Sequence, residues 1–155
     1  MGGACAMILI KNRQKKIAID SAALERDAQR ILELLKYPDF DLGILITTNA
    51  TIRKYNRDYR QKDKPTDILS FPAHPDLQAG KRIRVRSEDD KNIGDLIISA
   101  EYVVKAAQEL NTPFEERMRI LLVHGICHLL GYDHIIDADW RRMRAKEAFL
   151  LKQLQ

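Results

Sequence analysis

The sequence predicts a single α+β domain in which a small mixed β-sheet of about four strands packs with about five α-helices. The first observation is size and composition. A chain of 155 residues, 45% hydrophobic and 31% charged, suits one globular domain spanning 1–155. The second is that short apolar runs, typical of strands, alternate with longer segments of helical periodicity. The third is that the chain shows no internal repeat and no low-complexity tract.

The first third of the chain predicts two strands and a helix. Residues 7–12, "MILIKN", predict the first strand. A helix is expected over 21–36, because its apolar residues recur at helical spacing. These residues are Leu24, Ala28, Ile31, Leu32 and Leu35. The near-continuous apolar run at 40–48, "FDLGILITT", predicts a central strand that is covered on both faces.

The middle third predicts a short basic helix, a strand and a long loop. Asn49 or Thr51 is expected to cap the helix, which ends near Arg60. Residues 66–71, "TDILSF", predict a third strand that Pro72 closes. The polar stretch 73–93 predicts a long loop or irregular hairpin, and loops of that length tend to be functional or mobile.

The last third predicts a strand followed by three helices. The strand is expected at 94–99, and Ser99 should cap a helix over 100–110. Thr112 and Glu115 match a capping box around Pro113 at the start of the next helix. Gly131 is placed to end that helix, and Asp137 to cap a final helix over 138–153.

Composition excludes several classes of protein. The longest apolar runs are too short to cross a bilayer, and the first ten residues lack the basic start and long apolar core of a secretory signal. The two cysteines, Cys5 and Cys127, offer no disulfide framework. A location in a reducing cytoplasm, without membrane contact, is therefore expected.

Positive charge is concentrated in residues 51–64, "TIRKYNRDYRQKDK". Six Lys or Arg residues stand there against two Asp residues, which gives a net charge of +4, equal to that of the whole chain. A local positive field of this kind attracts polyanions such as RNA. Charge alone does not distinguish such a surface from an ordinary solvated helix face.

Three of the four histidines lie within eleven residues, in "HGICHLLGYDH" at 124–134. His124 and His128 are four apart and project from one face of the predicted helix. Gly131 then turns the chain back, so that His134 can approach as a third ligand. Three protein ligands leave one coordination position open, which is typical of a catalytic site with zinc or a similar divalent metal rather than of a structural site.

This spacing is similar to the metzincin protease motif, H-E-x-x-H-x-x-G-x-x-H, with one departure. Gly125 stands where those proteases have the glutamate that activates water for peptide hydrolysis. Because glycine cannot transfer a proton, peptide hydrolysis becomes the alternative function rather than the favoured one.

Three motifs together resemble the YbeY family of metal-dependent endoribonucleases. The first is H-G-x-x-H-L-x-G-Y-D-H at 124–134, the second is "NRDYRQKDKPTDILSFP" at 56–72, and the third is "IGDLIIS" at 93–99. They occur in the family's order and cover most of the chain. The unusual start, "MGGACA", and the charged segment 76–92 are the departures from the family pattern.

The resemblance implies a hydrolase that cuts single-stranded RNA with one divalent metal bound by His124, His128 and His134. It further implies maturation of the 3′ end of 16S ribosomal RNA and a part in ribosome quality control in the cytoplasm. The small ribosomal subunit and the GTPase Era are the implied partners, and no DNA substrate is expected. The family's functional arginine falls on Arg60.

Residues of the basic segment are candidates for RNA contacts. Arg57 and Arg60 are three apart on one side of the predicted helix, and Lys62 and Lys64 follow. A guanidinium can bind a phosphate through two parallel hydrogen bonds, and we expect Arg60 to do so next to the cleaved bond. Tyr55 and Tyr59 are candidates for stacking on bases, with a core position favoured for Tyr55.

The chemistry leaves alternatives open. Asp133 is a candidate to orient a histidine or transfer a proton, and Asp67 is a second candidate; a turn or cap role is the favoured alternative for each. The nucleophile is either water or the 2′-hydroxyl of the substrate. Three imidazoles suit zinc, nickel, copper or iron(II), with zinc favoured. A third hypothesis for the function is a non-catalytic ribosome-assembly factor whose metal holds the C-terminal helices together.

Overall fold

The computed structural model describes residues 7–155, which form five α-helices and one four-stranded mixed sheet. The strands are β1 (Ile8–Asn12), β2 (Asp41–Thr47), β3 (Ile68–Pro72) and β4 (Asn92–Ser99). Their order across the sheet is β1-β2-β4-β3. The pairs β1–β2 and β2–β4 are parallel, whereas β3 runs antiparallel to β4. The predicted fold class is confirmed.

Helices connect and cover these strands. They are α1 (Ser21–Leu34), α2 (Asn49–Arg60), α3 (Ala100–Leu110), α4 (Phe114–Leu129) and α5 (Asp137–Leu154). No helix within residues 7–155 combines the length and the apolar character that a membrane crossing requires. Cys5 and most of the segment in which a signal was sought lie outside the described residues.

The main hydrophobic core lies between one face of the sheet and helices α1, α3, α4 and α5. Side chains of β2 and β4 alternate, so Ile44 and Leu96 enter this core while Leu45 and Ile97 point to the other face. On that other face α2 covers a smaller cluster, to which it contributes Ile52.

The expectation that β2 is covered on both faces is wrong. The strand is central, between β1 and β4, but its buried residues alternate with half-buried ones. A single helix, α2, cannot cover the full width of the second face, which leaves Leu45 in an open cleft beside Lys11 and Arg13. The apolar run predicted the position of the strand but not its exposure.

Of the four predicted N-terminal helix caps, three are wrong and one is confirmed. Ser99 caps α3, but Thr48 caps α2 in place of Asn49 or Thr51. Pro113 occupies the cap position of α4, and the Thr112 hydroxyl is buried without a hydrogen-bond partner among the described residues. Asp137 is the first residue of α5, in the turn where a carboxylate favours the helix dipole, rather than its cap.

The end of α4 is built as predicted around Gly131. Its φ of +92° is in the region that favours glycine, and a side chain there would collide with the carbonyl oxygen of Leu77. The Tyr132 N–H donates to the Cys127 carbonyl at 3.1 Å, and the Gly131 N–H donates to the His128 carbonyl at 3.0 Å. This pattern of two bonds closes the helix and directs the chain toward His134.

The segment at 73–93 is a long loop with little regular structure, as predicted. It contains one 3-10 turn, Glu88–Asp90, and joins β4 at Asn92, two residues earlier than expected. His74 lies in this loop, with its Nε2 2.9 Å from the carbonyl oxygen of Asp90. The fourth histidine therefore ties the loop to itself and is separate from the other three.

Candidate metal centre and its surroundings

The structure brings His124, His128 and His134 together at the end of α4. One ring nitrogen from each histidine can be chosen so that the three atoms lie within 4.8 Å of one another. The Nε2 atoms of His124 and His128 are 3.1 Å apart. Two nitrogens bound at about 2.1 Å to one tetrahedral zinc ion would be about 3.4 Å apart, so this donor set fits a divalent metal.

Each histidine is positioned by a local feature of the chain. His124 and His128 lie one helical turn apart on α4, at the margin of the face that packs on the sheet, and both are half-buried. His134 follows the Gly131 turn and is exposed. The cluster is therefore anchored in the core on one side and open to solvent on the other.

Burial keeps His128 in the form that binds metals. Desolvation, with a further contribution from the neighbouring His124 and His134, lowers the pKa of His128 to about 4. Its ring is consequently neutral near pH 7, with a free lone pair. No deprotonation of this ring has to precede metal binding at neutral pH.

Glu147 is the residue of this site that the sequence reasoning missed. Its Oε2 lies 3.0 Å from Nδ1 of His124, across the contact between α5 and α4. A carboxylate that accepts the Nδ1 proton directs the Nε2 lone pair of the same ring toward a metal. Glu147 lies 23 residues beyond His124, so no local spacing connects the two; only the packing of α5 on α4 does.

Replacing Glu147 with glutamine should weaken metal binding about 10- to 100-fold, because the amide removes the negative charge that orients and polarises the His124 ring. Competition with a chromophoric chelator would measure the affinity. Glu109→Gln, an exposed change at the end of α3, is the matched control. Equal affinities in the two variants would contradict the positioning role of Glu147.

Cys127 belongs to the core, as predicted, and not to the metal centre. Its side chain is fully buried in the main cluster, on a different face of α4 from His124 and His128. Burial raises the pKa of the Cys127 thiol to about 12, so the thiolate that would bind a metal is not formed near neutral pH.

The predicted RNA-contacting residues lie at and after the end of α2. Arg57 Nε is 3.0 Å from Asp58, and Arg53 forms two hydrogen bonds with Asp63 at 2.9 and 3.2 Å. Both ion pairs are exposed, so they contribute little stability and can exchange for phosphate. Lys62 and Lys64 are exposed beside them.

Arg60 is the last residue of α2, and its Nη2 lies 3.5 Å from the carbonyl oxygen of Ser70 in β3. Within residues 7–155 the structure records no hydrogen bond between Arg60 and the three histidines. The side chain is exposed and its hydrogen bond is long, so most of its donors are available to a ligand.

The two carboxylate candidates have different surroundings. Asp133 accepts a hydrogen bond from the main-chain N–H of His134 at 2.7 Å, and lies 3.9 Å from Nδ1 of the same residue. It therefore adjoins the cluster. Asp67 accepts from the Ile68 N–H and pairs with Arg117 near the start of α4, so the structure joins it to that helix rather than to a histidine.

The two tyrosines of α2 differ in burial. Tyr55 is half-buried and packs on the small cluster beneath α2, which confirms the core position favoured for it. Tyr59 is 64% exposed, with its ring 5.3 Å from that of Phe71. Of the two, Tyr59 presents the more accessible aromatic face.

Comparison with known proteins identifies the family. The family model described as Endoribonuclease YbeY matches residues 9–155. The chain is 42% identical to an Endoribonuclease YbeY of Syntrophotalea carbinolica over 151 residues, with 96% of each protein covered. It is 37% identical to one of Homo sapiens, covering 95% of this chain and 87% of that protein. A solution structure of a Thermotoga maritima protein, 26% identical, superposes with a TM-score of 0.63 over 96% of this chain and 89% of its own. With one family model matching nearly the whole chain and relatives of this similarity, the chain belongs to the endoribonuclease YbeY family.

Proposed function

We propose that residues 1–155 form one metal-dependent endoribonuclease domain that hydrolyses phosphodiester bonds of single-stranded RNA. The observation that carries the proposal is the cluster of three histidine nitrogens within 4.8 Å, in a chain of an endoribonuclease family. His124, His128 and His134 are the proposed metal ligands, and together with Arg60 they are the proposed catalytic residues.

Zinc is the metal we propose for this centre. Three neutral imidazoles suit it, and the spacing of the His124 and His128 nitrogens agrees with its bond lengths. When bound, such an ion supplies a Lewis acid that stabilises charge developing on a phosphoryl oxygen. The protein supplies the orientation of the His124 ring, because the Glu147 Oε2 lies 3.0 Å from its Nδ1.

The exposed cations at and after the end of α2 are proposed to hold the RNA backbone. Arg57, Lys62 and Lys64 give positive charge in one short segment, and neutralising phosphates releases counterions from the RNA. Arg60 is assigned the phosphate at or next to the cleaved bond, because its guanidinium offers donors in a fixed planar fork. Binding should consequently weaken as salt is raised.

Replacing Arg60 with lysine should lower the rate of RNA cleavage about 10- to 100-fold, since the charge remains but the paired hydrogen bonds are lost. Single-turnover cleavage of a short RNA would measure the effect. Arg26→Lys, which changes an exposed arginine of α1 outside the basic segment 51–64, is the control. Full activity of the Arg60 variant would remove it from the catalytic set.

In the cell, we propose that the substrate is the 3′ end of 16S ribosomal RNA, on or near the small ribosomal subunit in the cytoplasm. Participation in ribosome quality control and contact with the GTPase Era are part of the same proposal. Its support is the resemblance of the three sequence motifs and the match to the endoribonuclease family over residues 9–155.

The test is cleavage by the zinc-loaded protein of a single-stranded RNA carrying that 3′ end. Matched substrates are the same RNA as a duplex and the same sequence as DNA, and neither should be cut. The product ends identify the nucleophile: a 2′,3′-cyclic phosphate indicates the 2′-hydroxyl, and a 5′-phosphate indicates water. Absence of cleavage with intact RNA binding would favour the assembly-factor alternative.

A further inference from the structure

A cleft of about 330 Å³ adjoins the histidine cluster on the side of α5. Trp140, Arg144 and Glu147 lie at positions i, i+4 and i+7 of that helix, so their side chains form one stripe. They line the cleft together with Met143 and two of the three histidines, His124 and His134. The stripe therefore extends from the metal centre along α5. Glu147 already has a role, because it orients His124, whereas Trp140 and Arg144 have none in the site described so far.

Trp140 is not part of the hydrophobic core, and 47% of it is exposed. The Arg144 guanidinium carbon lies 5.1 Å from the centre of its ring, within the range of a cation–π contact. Arg144 is itself exposed, and within residues 7–155 it forms no ion pair with a carboxylate. An aromatic face and a free cation thus stand side by side, next to the place where an RNA phosphate would be cut.

We propose that Trp140 stacks on a nucleobase adjoining the cleaved linkage, while Arg144 contacts a neighbouring phosphate. Aromatic rings bind single-stranded nucleic acids in this way because every base presents a π-face. A paired base in a helix is already stacked on both sides, so this subsite selects a single strand. The inference rests on the proposed endoribonuclease function and adds a substrate subsite to it.

Kinetics give the first readout. Trp140→Ala should raise KM for a short single-stranded RNA about 5- to 100-fold with a smaller effect on kcat, and Trp140→Phe should recover most of the loss because it keeps a ring. Phe149→Ala is the matched control. Phe149 is an exposed aromatic residue of the same helix that does not line this cleft. Unchanged KM in Trp140→Ala overturns the proposal.

Fluorescence gives a second readout that does not depend on activity, because Trp140 is the sole tryptophan of the chain. Titration of the zinc-loaded protein with a single-stranded RNA that is 2′-O-methylated and has phosphorothioate linkages, and so resists attack by either nucleophile, should quench its emission. The quenching should be lost when one particular base of the RNA is replaced by an abasic spacer. The affinity of a Trp140→Ala protein for the RNA, measured by filter binding, should not change when that same base is replaced by the spacer, which identifies the stacked base.

The outcomes separate this inference from the function on which it rests. If the wild type cuts no RNA, the proposed function fails whatever the fluorescence shows. If the wild type cuts RNA but no spacer position alters the emission, only the stacking role is overturned. The exposed face of Trp140, with the exposed Ile135 and Ile136 a few residues before it in the chain, would then be assigned to a protein partner instead.

Discussion

Replacing His128 with alanine is expected to abolish metal binding at the histidine cluster and to lower RNA cleavage by about 10³-fold or more. A metal acting as a Lewis acid contributes several kcal/mol to stabilising the transition state, and each 1.4 kcal/mol corresponds to about a tenfold change in rate. Burial keeps the His128 ring neutral, so the substitution removes a nitrogen that is available to a metal near pH 7. Cleavage assays and metal content after dialysis would measure the two effects.

The matched control is His74→Ala, which removes the one histidine outside the cluster. Its ring contacts the Asp90 carbonyl in the loop 73–93, so the same substitution there should leave metal content and cleavage near wild-type values. Circular dichroism of both variants would establish that each is folded before activities are compared. A His128→Ala protein that keeps its metal and its activity would contradict the assigned ligand set.

Thermal unfolding separates a catalytic metal from a structural one. Zinc at about 100 times its dissociation constant adds about 2.7 kcal/mol to the stability of the wild type, and should add nothing to His128→Ala. If chelation leaves the wild type folded but inactive, the metal is required for catalysis rather than for folding. If chelation unfolds it, loss of cleavage carries no information about catalysis, and the metal of the assembly-factor alternative gains support.

The features that the sequence predicted well are those encoded within a few residues. Helical spacing placed His124 and His128 on one face, and a glycine after the apolar periodicity marked the end of α4. Both follow from local backbone geometry, which does not depend on what the helix packs against. For the same reason Ser99 was recognised as a cap.

Features that depend on packing between distant segments could not be predicted from sequence. Glu147 reaches His124 only because α5 folds back on α4, and nothing in the chain between the two residues, which are 23 positions apart, specifies that contact. Leu45 is half-exposed because a single helix covers its face of the sheet. The Thr112 hydroxyl matched a capping pattern, yet the chain enters α4 through Pro113 and the hydroxyl is left without a partner.

Gly125 gives the structural reason for setting the metalloprotease alternative aside. This position does not face the histidine cluster; it faces the sheet, where α4 packs on β3 and β4. A Cβ atom there would lie 2.8 Å from the ends of the Ile68 and Leu96 side chains. The glycine therefore permits close contact of helix and sheet, and a glutamate at 125 would be directed into apolar packing rather than toward a metal.

Introducing glutamate at Gly125 is accordingly expected to destabilise the fold by more than about 3 kcal/mol and to produce no peptide hydrolysis. Overpacking costs about 1–3 kcal/mol, and burial of a carboxyl group without a partner adds to it. Urea unfolding would measure the loss of stability.

Ala148→Glu, on the exposed side of α5, is the control for adding a glutamate to a helix. Gly125→Ala separates the two costs, because it introduces the contact with Ile68 and Leu96 without the charge. A folded Gly125→Glu protein that cleaves peptides would instead show that the protease chemistry needs only its missing base.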